Sequence, residues 1–77
     1  MGRGEAWKHF GAPTEQVGSV NEPRTHQECG VEWNEKWVYF GEDGRTVARI
    51  VLWLRYDLVG AFALSSDGSA EPLPLPE

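Results

Sequence analysis

One cysteine, Cys29, stands among the 77 residues, so no disulfide can close within the chain, and the composition fits a reducing cytoplasm better than secretion. Positive charge is scarce. Seven Lys and Arg face twelve Asp and Glu, a net charge of −5, which argues against nonspecific nucleic-acid binding because that mode needs a basic surface to release counterions from phosphates. Long apolar runs are missing too. The richest stretch, Val47 to Leu64, is interrupted by Arg49, Arg55 and Asp57, short of the roughly 18 uncharged residues of a membrane-spanning helix. No charged-then-apolar leader precedes it.

Histidine is limited to His9 and His26. His26 and Cys29 have a His-x-x-Cys spacing that offers two metal ligands, whereas structural zinc takes four from Cys and His. The same two residues, with Glu28, are a conceivable nucleophile, base and orienting carboxylate. The nearby Glu28 and Glu32 raise a thiol's pKa when a nucleophile needs it lowered. A G-x-S-x-G elbow, a glycine-rich phosphate loop and H-E-x-x-H are all absent. The expectation is a protein without metal, cofactor or catalytic residue, with a small enzyme built on His26 and Cys29 as the minor alternative.

What is present is β-periodicity. From Glu28 to Leu64 the chain alternates in a way that sorts side chains onto two faces, since successive residues of a strand point to opposite sides. Glu28-Cys29-Gly30-Val31-Glu32-Trp33 reads as one half-buried strand and Lys36-Trp37-Val38-Tyr39-Phe40 as a second, joined by a two-residue Asn34-Glu35 loop that pairs Val31 with Val38. Asp43-Gly44 marks the next hairpin. A three-residue Glu42-Asp43-Gly44 loop, with Gly44 in the left-handed region of a bulge, puts Phe40 on the same face as Ala48, Ile50, Leu52 and Leu54; a two-residue loop pairs Val38 with Arg49 instead. The first register sorts the residues better. Ser66-Asp67-Gly68 repeats the signal and aligns Leu64 with Ala70, while Asp57-Leu58-Val59-Gly60 carries the turn residues of the remaining connection.

The predicted fold is therefore mainly β: a small single-domain antiparallel meander of four to five strands. Residues 1–27 form an irregular N-terminal arm, with a short helix possible over Glu5 to Phe10, residues 28–71 the sheet, and residues 72–77 a proline-rich extended tail. One face gathers Cys29, Val31, Trp33, Val38, Phe40, Ala48, Ile50, Leu52, Leu54, Phe62 and Leu64, with Tyr56 at its end. The other gathers Glu32, Trp37, Tyr39, Val47, Arg49, Val51, Trp53 and Arg55.

Trp37, Tyr39, Arg49, Trp53 and Arg55 are the candidate binding residues, because Trp, Tyr and Arg are the types most enriched at interaction hot spots. Arginine planes over the rings, or the N-terminal arm laid across them, are the competing explanations for that face. A chain of this size buries only about 60% of its unfolded surface, and pairing two sheets in a homodimer relieves a marginal core. The functional expectation is a non-enzymatic interaction module or accessory subunit with a protein partner or a second copy of itself. A binder of a sugar or nucleobase stacked on those rings is the alternative.

Overall fold

The computed structural model describes residues 2–75 and has a five-stranded antiparallel sheet covered on both faces. Helix α1 (Arg3–Phe10) is followed by strands β1 (Glu15–Gly18), β2 (His26–Glu28), β3 (Val31–Trp33), β4 (Glu35–Phe40), β5 (Val47–Leu54), β6 (Asp57–Leu64) and β7 (Ala70–Pro72). The large sheet has the order β1-β4-β5-β6-β7, so β4 to β7 form the meander and β1 joins from the N-terminal region. Strands β2 and β3 pair only with each other, as a separate hairpin.

Side-chain parity explains the covering. On one face Trp37, Tyr39, Val51, Trp53 and Ala61 form a buried cluster with Ala6 and Phe10 of α1, and Leu58 and Leu73 pack beside it. On the other face Ile50, Leu52 and Phe62 pack with Trp33 of β3, flanked by Val31, Val47, Val59 and Leu64. Gly60 sits in the middle of β6 for a packing reason: a Cβ there meets the Phe62 ring at 2.9 Å and Val31 Cγ2 at 3.5 Å, space the hairpin needs.

The N-terminal region is ordered structure and not an irregular arm. Arg3, Ala6, Trp7 and Phe10 recur at helical spacing, and α1 ends at Gly11, whose positive φ of 85° glycine adopts without a Cβ penalty. At the other end the proline-rich stretch begins inside the sheet, since Pro72 lies opposite Phe62 and the Leu73 N–H donates to Ala61 O at 2.8 Å. Pro76 and Glu77 lie outside the described residues.

Three turns differ from expectation. Val31 does not pair with Val38: β3 pairs back onto β2 through the Cys29-Gly30 turn, both residues at positive φ as in a type I′ hairpin, and β4 starts afresh after Asn34. Cys29 is thus exposed at a hairpin tip, not buried in the core. The Asp43-Gly44 hairpin has a four-residue loop between Gly41 and Thr46, and pairing changes register between Tyr39 and Phe40, leaving Ala48 as the extra residue of a bulge. The bulge restores the expected parity further along, with Val38 opposite Ile50, and turns Val47 onto the hairpin-covered face.

The β5–β6 connection is Arg55-Tyr56, with Arg55 at φ 61°, so Asp57 to Gly60 belong to a strand. The Ser66-Asp67-Gly68 loop matches its expectation: Leu64 faces Ala70 and Gly68 has a φ of 89°. No helix among the described residues is long and apolar enough to cross a membrane.

Candidate functional site

The five residues singled out from sequence do not form one open surface. Trp37, Tyr39 and Trp53 are interior, roofed by α1. Arg49 stacks its guanidinium 4.8 Å from the Tyr39 ring centroid. Burial pushes the Tyr39 hydroxyl's pKa up, against the pull of Arg49, and that hydroxyl donates to Gly11 O at 2.8 Å, tying the end of α1 to the sheet. Arg55 is in the turn rather than beside Trp53 on the face. Its backbone N–H donates to Asn34 Oδ1 at 2.9 Å and its Nη1 to Glu22 O at 3.0 Å.

Trp37 reaches a cleft. This cleft, of about 350 Å³, runs between α1 and β1, lined by Arg3, Gly4, Trp7, Lys8, Gln16 and Trp37. Positions 3, 4, 7 and 8 form one stripe of the helix, while Gln16 lies opposite Trp37 in the β1–β4 register and so shares its face. Trp7 is 47% exposed and meets Trp37 edge-to-face at 5.8 Å between ring centroids. Trp37 in turn packs against Trp53 at 5.0 Å, so three indoles run from solvent into the core.

Charge is built into that run. Arg3 places its guanidinium carbon 5.3 Å from the Trp37 ring and 5.0 Å from the Trp53 ring, and its Nη2 donates to Glu35 Oε2 at 2.6 Å. The same Glu35 oxygen accepts from Trp37 Nε1 at 2.6 Å. Glu35 is almost wholly buried, and a carboxylate there needs both partners to offset its lost hydration. Arg3 Nη1 and Trp53 Nε1 are buried with no hydrogen-bond partner among the described residues. Lys8, also on the cleft, makes no ion pair among them.

Asn34 sets the geometry behind the cleft. It is fully buried; its Nδ2 donates to Val20 O and Glu22 O, both at 3.1 Å, its backbone N–H to Trp53 O at 2.9 Å, and its carbonyl accepts from Ser19 N–H at 3.1 Å. The chain leaving β1 is therefore locked to the β3–β4 junction. Gly18 makes this approach possible, because its φ is 76° and a Cβ there falls 2.2 Å from Asn34 O.

The opposite, hairpin side carries the His26 and Cys29 pair. His26 packs on Trp33 with centroids 4.8 Å apart, and partial shielding, then Glu28, push the Cys29 thiol's pKa up, with Lys36 opposing. The described residues contain no group of three His, Cys, Asp or Glu side chains placed to hold a metal. Sequence reading passed over Arg3, Lys8 and Gln16, though the 3, 6, 7, 10 spacing of Arg3, Ala6, Trp7 and Phe10 carried the helix. The chain has no significant match to any protein-family model, curated protein or solved structure.

Proposed function

We propose that this chain is a non-enzymatic binding module whose contact surface is the α1–β1 cleft. The supporting observation is the half-exposed Trp7, standing at a cleft of about 350 Å³ whose remaining lining is cationic, amidic and aromatic. That volume falls in the range of ligand pockets, which combine an apolar lining with a few polar groups that fix orientation. Arg3, Lys8, Gln16, Trp7 and Trp37 supply cations, an amide and rings, a set suited to holding an apolar and anionic group.

The interaction surface is thus the open margin of the aromatic and arginine cluster, not its interior. Pairing of two bare sheets has no support left, because both faces are covered within one chain. A second copy can still pair along a sheet edge. A small planar ligand such as a nucleobase is the second reading, favoured by the exposed indole beside two cations.

The test is a fragment screen with aromatic carboxylates, read by amide and indole shifts of the isotopically labelled protein. Expected are saturable shifts at the Trp7 indole, Gly4, Lys8 and Gln16, lost in Trp7→Ala. Shifts that collect on the β2–β3 hairpin, or none at all, overturn the reading.

A further inference from the structure

We infer that the cleft is occupied by an extended peptide segment that pairs with the free edge of β1, inserts a large apolar side chain beside Trp7 and places an acidic side chain near Lys8. This inference rests on the cleft being the binding surface and names its occupant.

The two edges of the sheet differ. β7 presents Pro72, which has no N–H to donate, at the edge beside β6. β1 has β4 on one side and, among the described residues, no strand on the other; all four of its residues are exposed, and although it is short and carries Glu15 it contains no proline, so its outward backbone groups can pair. A free, proline-less edge next to a cavity is the geometry of recognition by strand addition, in which backbone pairing gives affinity and pockets for alternate side chains give sequence preference.

The cleft supplies that preference. An added strand lies about 4.8 Å beyond β1, and those of its side chains that share the face of Gln16 point to the side where α1 overhangs the sheet. Trp7 and Lys8 both line the cleft on that side. Side chains on one face of a strand come from every second residue, so the segment has an aromatic or long aliphatic residue and an Asp or Glu two positions away. The chain's own excess of acidic groups, −5 overall, keeps generally acidic surfaces away, so the carboxylate is selected where the local cations are.

The experiment is a selection of random decapeptides displayed on phage against the immobilised full chain. The expected result is enrichment of peptides with a large apolar and an acidic residue at a two-residue spacing. Synthetic copies of an enriched peptide then lose about tenfold or more in affinity against Trp7→Ala and against Lys8→Glu. They also lose binding when alternate backbone amides are N-methylated, which removes the donors without altering side chains. Peptides that bind both variants as well as the parent, tolerate N-methylation in every register, or fail to enrich overturn the inference. So does a stable dimer in light scattering whose β1 amides are protected from exchange by the second copy. Aromatic carboxylates that bind the cleft while no peptide does leave the binding module standing and remove its peptide occupant.

Discussion

The two faces of the central sheet are covered in different ways. The hairpin face is closed by Trp33 and its aliphatic neighbours over Ile50, Leu52 and Phe62, with one ion pair, Lys36 to Glu28 at 2.9 Å, at its rim. The helix face closes over a buried carboxylate, an arginine and a run of indoles, and it stops short of the sheet edge. An apolar lid needs only shape complementarity, whereas a polar one needs every charged group partnered. The less complete cover lies where the polar groups are, and the open surface of the protein follows from that.

The sharpest way to break the comparison is to hollow out each face in turn and follow urea unfolding. Trp53→Ala, beneath the helix, is expected to cost about 4 kcal/mol, and Leu52→Ala, beneath the hairpin, about 3 kcal/mol, from lost burial and the cavity left behind. Equal insensitivity at both positions means the packing described is wrong. The ion pairs separate the faces more finely. In double-mutant cycles, Arg3→Met with Glu35→Gln is expected to show coupling of about 1–2 kcal/mol, reduced from a fully buried pair because Arg3 is one-third exposed, while Glu28→Gln with Lys36→Met stays below about 1 kcal/mol. Arg3→Met alone should be less stable than the double variant, since it strands the Glu35 carboxylate.

Trp7→Ala is expected to cost about 2 kcal/mol, half the loss at Trp53 although the residue is as large, because about half of it is already in water. A loss there as large as at Trp53 means that Trp7 is a strut of the helix and not a contact residue. The smallest effect concerns Asp43, whose carboxylate accepts from the Thr46 hydroxyl at 2.6 Å and from the Arg45 and Thr46 N–H groups at 2.9 Å each. These bonds, those to Thr46 foremost, lower its pKa from 3.8 to about 2. A depressed carboxyl stabilises the fold fully above its unfolded value and loses that contribution as pH falls from about 4 through about 2. Asp43→Asn should flatten the acid limb over that interval by lowering stability at neutral pH, where the carboxylate's contribution is fully present, and leave stability near pH 2 almost unchanged.

The sheet itself was legible in the sequence where local chemistry and burial agree. Phe62 and Leu64 share the face of Ile50 and Leu52, and the Ser66-Asp67-Gly68 loop takes the expected three-residue form. Elsewhere tertiary contacts outvoted local signals. Arg55 occupies the left-handed region, normally glycine's, because Asn34 Oδ1 captures its N–H, and so Asp57 and Gly60, the better turn formers, lie in a strand. Asn34 itself reads as a loop residue, yet it is a buried junction bonded to chain segments 12 to 21 positions away, which no local pattern encodes. Of the expected aromatic face, Trp37, Tyr39, Val51 and Trp53 do share a side and are covered by the N-terminal region, one of the explanations offered for them. Val47 turns to the other side, whereas Glu32 lies in the separate hairpin and Arg55 in a turn. Period-two alternation tells which side chains travel together and is silent on which element covers them.

The spacing of the indoles has a spectroscopic consequence. With centroids 5.8 Å and 5.0 Å apart, Trp7, Trp37 and Trp53 lie within range of one another's transition dipoles, so light absorbed by the dry rings migrates to the one that water relaxes to lowest energy. Trp7 is that ring. A group that displaces water at the mouth of the cleft is therefore expected to change the colour of the light these three rings emit, with Trp33 on the hairpin face adding its own.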